Sequence, residues 1–168
     1  MASWTEFATD APWLASSIRA LLTQYGPGMG YLATVRADGG PRVHPVSPLI
    51  TDDGLYCFVV SSPKRRDLDR DGRYALHAFP AEHSEIEAYV TGHARPVSDE
   101  TTVDRLAEEF RAAPTIDWRL YEFSVEVALL HRHVRGAAPQ TWRDTAVVRR
   151  RSALPRRAPR PFLRLLAA

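Results

Sequence analysis

The sequence predicts a mainly β protein, an antiparallel barrel with a few short flanking helices. Six or seven apolar runs of strand length follow one another at hairpin spacing. Asp-Gly and Gly-Pro signals separate several of them, and helical periodicity is confined to short segments. This pattern suits an antiparallel barrel better than a parallel α/β sheet.

In chain order, Asp10 to Tyr25 predicts an amphipathic helix, with Leu14, Ile18, Leu21, Leu22 and Tyr25 on one stripe and Gly26 as its stop. Gly30 to Arg36 alternates as a strand, and Asp38-Gly39-Gly40-Pro41 marks a turn. Arg42 to Ile50 returns as a second strand. Pro45 and Pro48 cannot donate to a ladder, so this strand must carry an edge, a bulge or a ligand surface. After the turn Asp52-Asp53-Gly54, Leu55 to Val60 is nearly continuously apolar, as expected of a strand buried on both faces. Arg73 to Phe79 and the long run Ile86 to Val97 predict the fourth and fifth strands, with Gly92 as a bend. Ser98-Asp99-Glu100 starts a helix whose buried stripe is Val103, Leu106, Ala107 and Phe110. Trp118 to Leu130 alternates as a sixth strand, and Trp142 to Val148 adds a short last one.

The 168 residues, 45% hydrophobic with four Trp, suffice for one domain, placed at 1–148. Seven arginines between Arg149 and Arg164 are interleaved with prolines, so 149–168 reads as a disordered basic tail. The body before it is slightly acidic, which argues against a nucleic-acid-binding face. No run approaches the length of a membrane span, and Met1-Ala2-Ser3-Trp4-Thr5-Glu6 does not look like a signal peptide. A single cysteine, Cys57, within an apolar strand fits a structural thiol in a reducing cytoplasm.

One lysine stands among twenty-two basic side chains. Lys64 lies in Ser61-Ser62-Pro63-Lys64-Arg65-Arg66-Asp67-Leu68, where Ser62 can cap a helix and Pro63 fits its first position. Three cations in a first helical turn have the wrong sign for the helix dipole. An anion there, most often a phosphate, would explain them; a solvated basic turn is the plain alternative. No Walker loop and no G-x-G-x-x-G fingerprint occurs, so a nucleotide would have to be held in another way.

Gly40-Pro41, then Arg42-Val43-His44-Pro45-Val46, then Gly54-Leu55-Tyr56-Cys57-Phe58, then Ser62-x-Lys64-x-x-x-Leu68 form an ordered set. This set resembles the pyridoxamine 5′-phosphate oxidase-like superfamily of flavin-binding split β-barrels. The likeness runs from Gly30 to Val97 and more loosely to Trp142. It implies a six-stranded Greek-key barrel that forms a homodimer with two cofactor sites at the interface. The implied ligand is FMN, with the deazaflavin F420 as alternative. The implied activity is hydride transfer to or from a small organic substrate, with non-catalytic flavin or haem binding as the alternative.

By the same resemblance, Arg42, Val43, His44, Pro45, Val46 and Ser47 would lie along the ring. Val60, Ser61, Ser62, Lys64 and Arg65 would grip the phosphate. Glu87, near Tyr89 on the long strand, would approach the partner subunit's flavin, and Trp142 would stand near the ring. The sequence departs from the true oxidase at Ser47, where the family has Lys, and near Glu87, where it has Gln. The C-terminal Arg-Leu-His-type substrate motif is missing. Pyridoxamine phosphate is therefore not the expected substrate.

His44 is the one candidate proton donor, and equally a satisfied structural histidine. His131 and His133 share one face of a strand, but a metal would need a third and usually a fourth ligand. No metal site is therefore expected. Haem binding in some split-barrel relatives is the other use these imidazoles could have.

Overall fold

The computed structural model describes residues 1–26, 28–79 and 85–146. One antiparallel sheet of eight strands dominates: β1 (Gly30–Val35), β2 (Pro41–Val46), β3 (Leu49–Ile50), β4 (Leu55–Val60), β5 (Arg73–Ala78), β6 (Ile86–Pro96), β7 (Trp118–Arg132) and β8 (Gln140–Arg143). The spatial order is β2-β1-β5-β6-β7-β4-β3, and β8 also pairs β7. The sheet curls into a half-barrel flanked by α1 (Trp4–Asp10), α2 (Pro12–Thr23), α3 (Pro63–Arg70) and α4 (Glu100–Glu109).

Eight strands replace the expected six for two reasons. First, Pro48 interrupts the second predicted strand, so the chain resumes as the two-residue β3, which pairs with β4. Second, β7 is long enough to hold β4 along one end and β8 along the other, while β6 occupies its opposite edge. The observed β8 starts two residues before Trp142 and ends at Arg143; the predicted continuation through Val147 and Val148, and the whole 149–168 tail, lie outside the described residues.

The predicted leading helix from Asp10 to Tyr25 emerges as α2, and an unpredicted helix, α1, precedes it. Ser3 and Glu6 form a reciprocal capping box at the start of α1, satisfying two of its free N–H groups. Pro12 then forces the preceding Ala11 out of helical geometry (φ −138°, ψ 64°), and α2 begins at the proline. Trp4 and Phe7 of α1 and Leu14, Ile18 and Leu22 of α2 join one core with Leu32, Leu76, Val90, Tyr121 and Phe123 of the sheet. A second, smaller core gathers Leu49, Tyr56, Leu106 and Leu120 under α4.

The predicted bend at Gly92 is a β-bulge: the register with β7 shifts between Thr91 and Gly92. A Cβ at Gly92 would stand 1.9 Å from the Ser124 carbonyl oxygen, so only glycine permits this approach. No helix among the described residues is long and apolar enough to cross a membrane.

Candidate functional site

β2 is one edge of the sheet, and Pro45 lacks the N–H that a further strand would need. The start of α3 lies beside this edge. Ser62, in extended geometry, accepts the Arg65 N–H and donates to the Val60 carbonyl at 2.8 Å, and Pro63 opens the helix. This local sequence places Lys64 so that its Nζ reaches the Pro45 carbonyl at 3.4 Å. Lys64 forms no ion pair among the described residues.

The three cations of this turn do not face one anion. Successive helical residues point about 100° apart, so the side chains diverge. Arg65 is already engaged: its two terminal nitrogens grip both oxygens of Asp117 at 2.7 and 2.8 Å. Arg66 turns toward a pocket of about 360 Å³ whose other basic groups are Arg36, Arg42 and Arg70. Asp38 neutralises Arg36, and Asp67 serves both Arg42 and Arg70. Lys64, beside Pro45, and Arg66, in the pocket, are therefore the cations of this turn without an ion pair among the described residues.

On β2 the side chains alternate: Arg42, His44 and Val46 are half-buried, while Pro41, Val43 and Pro45 are exposed. Arg42 is directed to α3, donating from Nε to the buried Asp67 carboxylate at 2.7 Å, which also accepts from the Thr34 hydroxyl at 3.0 Å. Burial pushes the Asp67 carboxyl up, but hydrogen bonds from Arg42 and Thr34 outweigh it and hold the group below its ordinary value.

His44 has its Nε2 buried with no hydrogen-bond partner. Burial first, then the nearby charges of Lys64 and Arg42, push its imidazole below the ordinary value. It is neutral at pH 7, a hydrogen-bonding group and a poor proton donor. Cys57 is fully buried and its thiol is pushed up to about 12 by that burial, so it is no nucleophile.

The remaining predicted residues fall into two sets. Ser47, Val60 and Ser61 are exposed close to the start of α3 in sequence or in space, and the Ser61 backbone N–H donates to the Asp117 carbonyl at 2.8 Å. Glu87 and Trp142 are elsewhere in the same chain. Glu87 is on β6, separated from β2 by β1 and β5, and Trp142 is on β8, beyond β6 and β7. The Trp142 ring packs on Phe7, with centroids 4.9 Å apart, and so belongs to the main core.

Two features were not anticipated. Asp67 organises the turn, and its signal in the sequence was only an acid following three basic residues. Glu87 stands directly opposite His131 on β7 and meets His133, which no sequence spacing reveals.

A curled antiparallel half-barrel with a lysine-bearing helix start at its free edge defines a split-barrel protein. The chain belongs to the pyridoxamine 5′-phosphate oxidase family, whose sequence profile matches residues 14–145. Comparison with functionally curated sequences finds no match. Among solved structures it resembles a heme binding protein from Mycobacterium smegmatis (TM-score 0.58, 18% identity, 75% of this chain and 57% of that one). It also resembles the general stress protein 26 from Bacillus anthracis (TM-score 0.58, 19% identity, 77% and 97%). A third likeness is to HutZ, a heme storage protein from Vibrio cholerae (TM-score 0.55, 16% identity, 71% and 94%). At these identities the likeness is one of fold.

Proposed function

We propose that the chain is a flavin-dependent oxidoreductase that holds FMN at the start of α3 and transfers a hydride to or from a small organic molecule, acting as a cytoplasmic homodimer. The observation that carries this reading is the pairing of Lys64, free of any ion pair, with a buried His44 Nε2 that has no partner, both at the free edge of β2. A phosphate suits the first and a polar ring atom the second. The exposed Val43, Pro45 and Val60 supply apolar surface beside them. These residues fit a phosphorylated, flat cofactor.

When bound, the flavin supplies the hydride chemistry. Lys64 would hold the phosphate, and β2 would lie along the ring. His44, kept neutral, would offer one hydrogen bond without becoming a competing acid. Arg42 would act indirectly, since its tie to Asp67 fixes β2 against α3. No side chain of the site needs to act as a nucleophile.

F420 is the alternative cofactor; its acidic tail calls for an extended basic groove, and the slightly acidic body favours FMN. A second reading, haem binding without turnover, draws on the two haem proteins among the structural likenesses. The absorbance spectrum of the purified protein, followed by release and mass measurement of the chromophore, tests all three. Flavin bands are expected. A Soret band, or a chain that binds neither FMN nor F420, overturns the reading. Lys64→Ala is expected to weaken FMN affinity about tenfold or more, as loss of a charge-assisted contact worth roughly 1.5–3 kcal/mol would.

A further inference from the structure

We infer that Glu87, His131 and His133 form a site for one divalent transition-metal ion of the zinc class, with His77 beside the same carboxylate. The site lies on the outer face of the sheet and does not depend on the flavin reading.

The ladder builds it. Glu87 on β6 is the direct register partner of His131 on β7. His133 follows His131 by two residues and so shares its face, and its backbone N–H continues the pairing to Glu85 at 2.7 Å. The two imidazole centroids are 4.3 Å apart, and a ligand atom from each of Glu87, His131 and His133 lies within 4.8 Å of the others. Bonds of about 2.0–2.2 Å to a tetrahedral ion separate its ligands by roughly 3.3–3.5 Å, so small rotamer changes bring all three to one centre. His133 Nε2 is already 3.0 Å from one Glu87 oxygen.

His77 reaches the same carboxylate from β5, its Nε2 3.7 Å from the other Glu87 oxygen. Its Nδ1 lies 2.6 Å from the Ala78 carbonyl, which can only accept, so Nδ1 carries the proton and Nε2 presents a lone pair.

Three imidazoles thus converge on one carboxylate. Without a cation, His133 can donate its Nε2–H to one Glu87 oxygen at 3.0 Å, while the His77 Nε2 lone pair faces the other at 3.7 Å. A single divalent ion takes a lone pair from His131, one from His133 and one from the carboxylate, with water to complete its shell, and the N/O donor set selects zinc or its first-row neighbours over calcium or magnesium. A haem is less suited to this pair: His131 and His133 stand side by side and cannot ligate opposite faces of one porphyrin.

The test is calorimetric titration of the full chain, stripped with a chelator, with ZnCl2, repeated with CoCl2 while recording the visible spectrum. One Zn²⁺ per chain is expected, together with the absorbance of four-coordinate Co²⁺. His133→Ala and Glu87→Gln should each weaken Zn²⁺ binding about tenfold or more, and the double variant His131→Ala/His133→Ala should abolish it. Lys64→Ala should leave it unchanged, which keeps this outcome separate from the fate of the phosphate site. No saturable Zn²⁺ binding by the wild-type chain, or undiminished binding by the double variant, overturns the proposal.

Discussion

Asp67 is 3% exposed yet ionised, because two elements deliver donors to it: Thr34 from β1 and Arg42 from β2. Replacing it with Asn keeps the shape and removes the charge. The expected loss is about 3 kcal/mol, the low end for a broken buried pair, since the Arg42 side chain is itself 31% exposed and partly screened. The sign of the pH dependence follows from the lowered folded value. The stabilisation is complete above the unfolded value of about 4 and is lost as pH falls through the lower folded one. Urea denaturation of both proteins at pH 7 and in the acid range should therefore show a gap that closes on acidification. A gap that persists in acid would mean that Asp67 acts through packing alone.

His44 makes the pH dependence run the same way, through a charged form that the fold disfavours rather than one that it favours. Its folded value lies below the ordinary one of about 6.5, so the folded state loses stability as pH falls through that unfolded value. Burial is the first cause and the Lys64 charge the second. Lys64→Ala should consequently raise the His44 value, followed by imidazole nitrogen shifts in NMR across a pH series. No change on removing Lys64 would show that the two are not close enough to share a ligand. Lys64 and His44 could be singled out in the sequence by composition and by their places in motifs. Asp67 could not, because its importance arises only when three separated segments close around it.

At the scale of elements, what the sequence displayed was periodicity, and what it hid were interruptions. The strand from Leu55 emerges almost as predicted because its apolar run is unbroken, and that from Ile86 because its buried positions alternate through Ala88, Val90 and Ala94. The helix predicted from Asp10 begins at Pro12, which opens α2 after Ala11 leaves helical geometry, and α1 before it was not read. The capping box Ser3-x-x-Glu6 was a readable signal for α1. That helix is not an appendage: Phe7 is fully buried, edge-on to Trp4 at 5.3 Å and tilted against Trp142. Phe7→Ala should cost about 3–5 kcal/mol, measured by denaturant unfolding. A cost under about 1 kcal/mol would fit a surface position and show that α1 is detached in solution.

For the whole molecule, the order of motifs carried the fold further than any one element could, since hairpin spacing gives antiparallel pairing but not which edge stays free. The free edge and the outer face beside it decide how two copies could meet. Tyr31 and Val43 are 39% and 60% exposed there. Ala33, Ala75, Tyr89, Val127 and Leu129 continue the same face across β1, β5, β6 and β7, half-buried and in register. This largely apolar face, interrupted by His77 and bordered by Glu87 and His131, is costly to leave in water and suits a self-complementary interface. The proposed homodimer would cover it, with β2 and Lys64 at its border. Sedimentation equilibrium should then give twice the 18.9 kDa chain mass. Val43→Arg, which the exposed position tolerates in the monomer, should shift the mass toward one chain while leaving the far-UV circular dichroism unchanged. Because the proposed ring-binding role also falls on β2, FMN affinity should fall in the same variant, and the loss should shrink at high protein concentration as dimers re-form. A wild-type chain that sediments as a monomer would rule out the interface, and a monomeric variant with undiminished FMN binding would show that the cofactor site is complete within one chain.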